Sequence, residues 1–172
     1  MLEAKGISYR KQLLILFISK ALYYFYTVGI PVLFIGITWW YVLIGFVVMH
    51  FISGLSLALI FQPAHVIEET NFPLPDPTGN MENDWAVHQM YTTANFAPKS
   101  RIFSWFIGGL NYQVEHHLFP SICHIHYRKL SKIVKATAKE FNLPYHEKST
   151  FLEALLSHTK TLIRLGKPAV TV

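Results

Sequence analysis

The sequence predicts an all-α integral membrane fold, a transmembrane helical hairpin followed by a cytoplasmic and interfacial helical region. Three observations predict it. The 43 residues from Ala21 to Pro63 contain no Lys, Arg, Asp or Glu. Of the 172 residues, 52% are apolar and only 15% charged, and thirteen Phe, nine Tyr and four Trp are a heavy aromatic load for a water-facing surface. After Pro63 the sequence changes to short helical patterns punctuated by Pro, Gly and Asn. The net charge of +5 does not point to nucleic acid, because there is no zinc-finger spacing and the basic residues avoid the apolar run. Anionic lipid headgroups are the expected partners. The single Cys123 excludes an intrachain disulfide and an all-cysteine metal site.

As one straight helix the uncharged run would be about 65 Å long, about twice the hydrocarbon core of a bilayer. It must therefore fold back, and Gly36-Ile37-Thr38-Trp39-Trp40-Tyr41, rich in interfacial aromatics, marks the turn. The first helix is expected over about residues 12–35 and the second over about 40–61, so that residues 1–63 form the hairpin and 64–172 the cytoplasmic region. Pro31 predicts a kink or local break inside the first helix. Gly45, Ser53, Gly54, Ser56 and Ala58 give the second a surface for close helix packing. Arg10, Lys11 and Lys20 interrupt the start, which does not read as a secretory signal. Together with Lys5 they precede the hairpin, the turn is uncharged, and eleven of the fifteen Lys and Arg follow Pro63. Both termini and the polar region are expected in the cytoplasm.

His50 falls inside the second helix, where a neutral imidazole bonded to a neighbouring helix is the expected role. About 22 Å of helix separates it from His65, too far to share one metal ion. His65 follows the expected helix end, with Glu68 and Glu69 placed to orient it. Phe72 to Asn80 carries prolines at alternate positions and ends Gly-Asn, which predicts an extended segment closing in a turn. Trp85 to Phe96 predicts a helix near the interface, with His88 and Asn95 able to reach a polar pocket. Ile102 to Asn111 is apolar but too short to span a bilayer, and is expected to be interfacial or re-entrant.

That segment leads into Gln113-Val114-Glu115-His116-His117-Leu118-Phe119-Pro120. Gln113, His116 and His117 stand at i, i+3 and i+4, one face of a helical turn, and Pro120 stops the helix. Neighbouring histidines can simply cap or pack. With Gln113 in phase and His65 just past the apolar run, a metal site is the better explanation. His124 and His126 alternate around Ile125, so an extended segment would point them to opposite sides. Tyr127 to Phe141 predicts an amphipathic helix with Lys129, Lys132, Lys135 and Lys139 near one face. That face suits solvent, an anionic membrane surface or a phosphate-bearing cofactor tail. Thr150-Phe151-Leu152-Glu153 is a capping box for a last packing helix to about Leu165, ended by Gly166 and Pro168.

At His65, Gln113, His116 and His117 the chain resembles the C-terminal half of the membrane-bound fatty-acid desaturases, specifically the bacterial acyl-CoA or linoleoyl-CoA type and its front-end relatives. The resemblance rests on Phe61-Gln62-Pro63-Ala64-His65-Val66, on His88-Gln89 with Thr92-Thr93-Ala94-Asn95-Phe96, and above all on Gly109 to Pro120. It implies that His65, His116 and His117 are iron ligands and Gln113 a direct or water-mediated one. It further implies a non-haem di-iron centre on the cytosolic face that introduces a double bond into an acyl chain with dioxygen. Gln at the first position of the third histidine box implies a double bond placed between an existing one and the carboxyl end. The implied partners are a fatty acyl-CoA or phospholipid acyl chain, membrane lipid, and a cytochrome b5 or ferredoxin electron donor, and the implied location is a bacterial inner membrane.

The family's earlier HxxxH and HxxHH boxes are absent from this sequence. Four ligands do not fill two iron sites, so the chain is expected to be a fragment, a truncated gene product, or one half of something assembled with a missing partner, and its two parts to belong to one incomplete desaturase domain. A lipid hydroxylase of the same architecture, or a catalytically silent membrane protein, are the alternatives.

Overall fold

The computed structural model describes residues 8–167; Lys5 and Pro168 lie outside the described residues. The chain is mostly helical, with two helices long and apolar enough to cross a membrane and a small sheet. Its residues group into two compact units divided between Leu55 and Ser56.

In the first unit, helix α1 (Tyr9–Tyr24) passes through a π-helical turn, Phe25–Gly29, into helix α2 (Ile30–Leu33). Pro31 explains the widened turn, because it has no N–H for the Thr27 carbonyl and its ring crowds that carbonyl. Gly36, at φ 75°, makes the reversal into helix α3 (Trp39–His65). Neither long apolar stretch is buried within the protein. His50 accepts the expected structural role. Its ring nitrogens contact the Tyr23 hydroxyl on α1 at 2.8 Å and the Phe46 carbonyl at 2.8 Å.

Helix α3 does not stop near Phe61. It continues through Pro63 to His65, and Val66 N–H still bonds the Gln62 carbonyl at 2.8 Å. Pro63 and Ala64 are buried, and burial of this last turn outweighs the one backbone bond that proline removes.

The second unit continues with helices α4 (Trp85–Thr92), α5 (Arg101–Phe106), α6 (Gln113–Leu118), α7 (Tyr127–Glu140) and α8 (Phe151–Leu165). Two short strands, β1 (Ala94–Phe96) and β2 (His146–Lys148), pair in parallel with Asn95 opposite Glu147. This sheet corrects the all-α expectation and the single helix expected from Trp85 to Phe96. After β-branched Thr92 and Thr93, the backbone finds its partners on β2, and Ala97 N–H bonds the Lys148 carbonyl at 3.0 Å.

Two apolar clusters hold the unit. Ala64, Phe96, Ala97, Ile107 and Ala154 form one, with Phe103 and Phe151 packed against it. Met90, Val114, Val134 and Ala138 form the other, with Leu118, Phe119 and Leu130 alongside. The loop before α4 closes as its prolines and glycine dictate. The Asp76 carboxylate accepts from Thr78 and Asn80 backbone N–H groups at 2.9 Å each, and Gly79 takes φ 88°. Helix α7 ends in a left-handed Asn142 at φ 54°, with Leu143 N–H returning to the Ala138 carbonyl at 2.8 Å. The Thr150–Glu153 capping box of α8 forms in both directions.

Candidate metal centre

Helix α6 is short because Phe119, preceding Pro120, cannot keep helical angles and takes φ −132°, ψ 60°. Its start is pinned from β1, where the Asn95 side-chain oxygen accepts Val114 N–H at 2.9 Å. The result presents His116 and His117 toward the end of α3. The ring centroids of His65 and His117 are 4.9 Å apart, and those of His116 and His117 5.8 Å apart. Three of the four expected ligands are thus brought together.

Each ring is held by the same nitrogen. His117 Nδ1 meets the Gln89 side-chain oxygen at 2.8 Å, His65 Nδ1 the Thr92 carbonyl at 3.4 Å, and His116 Nδ1 the Tyr127 hydroxyl at 3.3 Å. A carbonyl or amide oxygen only accepts, so His65 and His117 carry the proton on Nδ1. Among the described residues no protein hydrogen bond engages Nε2 of any of the three rings. Metal-bound imidazoles share this pattern, one nitrogen anchored to the protein and the other presenting its lone pair. Burial first, then the neighbouring rings of His65 and His116, holds the pKa of His117 down to about 4. It is neutral at pH 7, the form that ligates.

Gln113 is fully buried, and neither its Oε1 nor its Nε2 has a hydrogen-bond partner. An orphaned buried amide is costly and is consistent with a further ligand or a bound water at this position. It makes no hydrogen bond to the three rings. Among the described residues, no three His, Cys, Asp or Glu side chains converge into a finished cation cage. Three imidazole nitrogens and an amide oxygen are nonetheless a donor set that suits a first-row transition metal.

The expected partners of His65 are corrected. Glu69 pairs with Lys148, and Glu68 lies 3.8 Å from Lys160, so the Thr92 carbonyl orients His65 instead. His124 and His126 form a 3-10 turn rather than an extended segment, and both are exposed. Cys123 N-terminal to them accepts the turn's backbone bond from His126 at 3.0 Å.

Behind the histidines lies a network that the sequence pattern does not announce. Glu115, fully buried, accepts from Asn95 Nδ2 at 2.7 Å and from the Tyr145 hydroxyl at 2.9 Å. Burial raises the pKa of Glu115 against the pull of these two donors, and burial beside Glu115 raises that of Tyr145 strongly. The signal was an acid inside an otherwise buried turn. Nothing local marks Tyr145, thirty residues away in sequence.

Leu118 and Met90, which follow His117 and Gln89, line an apolar groove of about 230 Å³ with Val134 and Ala138 of α7.

A long apolar helix that delivers His65 to a QxxHH turn, with His65, His116 and His117 each anchored through Nδ1, defines a mostly helical protein whose second membrane-length helix ends on a cluster of imidazoles. The chain belongs to the fatty acid desaturase family, whose model matches residues 4–149. It is 44% identical over 149 residues to an sn-1 linoleoyl-lipid 6-desaturase of Synechocystis sp., covering 86% of this chain and 41% of that relative. It is 40% identical to acyl-lipid (8-3)-desaturases of Physcomitrium patens and Mortierella alpina, covering 88% and 86% of this chain and 32% and 33% of theirs. The chain therefore spans about a third to two-fifths of the length of these curated relatives. No solved structure matches it.

Proposed function

We propose that this chain is the ligand-bearing C-terminal part of a membrane-bound, front-end-type fatty acyl desaturase. Residues 1–63 serve as a transmembrane hairpin and residues 64–172 as the cytoplasmic region, with both ends on the cytoplasmic side of a bacterial inner membrane. The observation that carries this reading is the common anchoring of His65, His116 and His117 through Nδ1 beside an unpartnered Gln113.

His65, His116, His117 and Gln113 would hold iron, the rest of the di-iron ligand set coming from sequence that the longer relatives possess. Bound there, non-haem iron supplies the dioxygen chemistry that removes hydrogen from an unactivated C–H bond, which no side chain does unaided. The chain's own residues orient and protect. Gln89, Thr92 and Tyr127 fix the direction of the three imidazoles, and the Glu115 network fixes α6. The groove beside Met90 and Leu118 is almost wholly apolar, a surface that suits a hydrocarbon chain. Cytochrome b5 or a ferredoxin would deliver the electrons, and acyl-CoA or a lipid-borne acyl chain would be the substrate.

Iron content of the purified chain after anaerobic loading with Fe(II) tests the reading. His65→Ala, His116→Ala and His117→Ala should each lose most of the bound iron, and His126→Ala, at an exposed turn, should keep it. Iron retained by all four variants, or lost equally from all, would remove the ligand assignment.

A further inference from the structure

A second concave site in the same unit is lined by none of the candidate ligands. Arg101 of α5, Arg128 of α7, His124, Tyr112, Trp105 and Ile125 line a cavity of about 200 Å³. Among the described residues neither guanidinium has a carboxylate within ion-pair distance. Two unpaired, forked guanidinium donors facing one cavity are suited to a phosphate or similar oxyanion.

The cavity is built rather than incidental. Tyr112 donates its hydroxyl to the Pro98 carbonyl at 2.6 Å, and Asn111 Nδ2 donates to Ser104 Oγ at 2.9 Å, which in turn donates to the Ser100 carbonyl at 2.8 Å. Gly109 sits at φ 73°, and a Cβ there would lie 2.9 Å from His124 Cβ, so the glycine admits His124 against the cavity wall.

The rim identifies the occupant. Trp105 and Ile125, which line the cavity, are 80% and 68% exposed, and Ile102 and Phe106 beside Trp105 on α5 are exposed too. Apolar and aromatic side chains around a basic cavity match the boundary between lipid headgroups and acyl chains, whereas a soluble anion needs no such rim. The α7 lysines differ, because they form a convex solvated face on which Lys135 is already paired with Glu147 at 3.1 Å.

We propose that this cavity binds the anionic headgroup of a membrane phospholipid through Arg101 and Arg128, with Trp105 and Ile125 set among the adjoining acyl chains. The proposal does not rest on iron binding or on the reaction.

Native mass spectrometry of the whole chain in an uncharged detergent, titrated with phosphatidylglycerol or phosphatidylcholine, tests it. Paired Arg101→Gln and Arg128→Gln should weaken phosphatidylglycerol binding at least about tenfold and leave phosphatidylcholine binding unchanged. Paired Lys132→Gln and Lys139→Gln, with the same change in charge, should leave both unchanged. Arg→Lys at both arginines guards against misfolding, since it keeps the charge and removes the fork; a measurable weakening is expected. Equal loss in the arginine and lysine pairs, or none in the arginine variants, would overturn the proposal. So would inorganic phosphate or coenzyme A that binds as tightly as phosphatidylglycerol and displaces it, because the occupant would then be a soluble phosphate.

Discussion

His117 must be neutral to offer a lone pair at Nε2, and its surroundings enforce that. With its folded pKa held near 4 against an ordinary 6.5, the unfolded chain takes up the proton first as pH falls. Stability therefore rises with pH through this interval, and the contribution of the neutral ring is complete above about pH 6.5 and lost by about pH 4. Thermal midpoints of the metal-free chain and of His117→Gln should show a difference that shifts against the wild type across that window; a constant difference would contradict the assignment. Glu115 makes a separate prediction. Glu115→Ala removes the acceptor of the Tyr145 hydroxyl proton and of one Asn95 N–H, leaving those two groups only their mutual bond at 2.7 Å, at a cost of about 1–3 kcal/mol for each donor left unsatisfied. Glu115→Gln keeps one acceptor for Asn95 and offers a donor to the Tyr145 oxygen, so it should retain most of the stability in a denaturant titration. At this scale the sequence was informative where one turn of helix contains the pattern, at Gln113, His116 and His117. The anchors Gln89, Thr92 and Tyr127 come from other elements, and no spacing rule reaches across 28 residues to join Gln89 to His117.

The elements whose limits were legible are those with local chemistry at both ends. Helix α8 has its capping box, α7 stops before Leu143-Pro144, and α6 stops before Pro120. The elements misjudged are those whose ends depend on distant partners. Helix α3 passes Pro63 because Ala64 is buried against Phe96 and Ala154, and α4 gives way to β1 because β2 waits 52 residues later in sequence. Two glycines provide a test of how the turn before α6 is held. Gly108 and Gly109 both have positive φ, 62° and 73°, but only Gly109 has a neighbour in the way of a side chain. Gly108→Ala should cost about 1–2 kcal/mol from the backbone alone. Gly109→Ala should cost more, because the 3-10 turn carrying His124 must also move. Equal costs in calorimetry would show that the turn yields freely.

For the whole molecule, the two long apolar helices with none of their apolar windows buried support the proposed hairpin, and the distribution of Lys and Arg supports its direction. An accessibility tag placed after Leu165 should react only with reagents on the cytoplasmic side in intact cells; labelling from outside would reverse the orientation. The hydrophobic pattern made this level readable because a bilayer constrains composition over tens of residues. It gave no hint of the parallel strand pair, whose two three-residue strands lie 52 residues apart in sequence and are held by partners from other elements. The anchoring of the three imidazoles also bears on how the chain matures. His65 needs Thr92, His117 needs Gln89, and α6 itself needs Asn95, which is tied to Tyr145 fifty residues on. Contacts of that sequence separation form late in folding. A nascent or partly folded chain would hold its histidines loosely and in mixed tautomers, so the proposed iron would be captured only after the second unit has closed, and metal content would then measure how many chains have completed their folding.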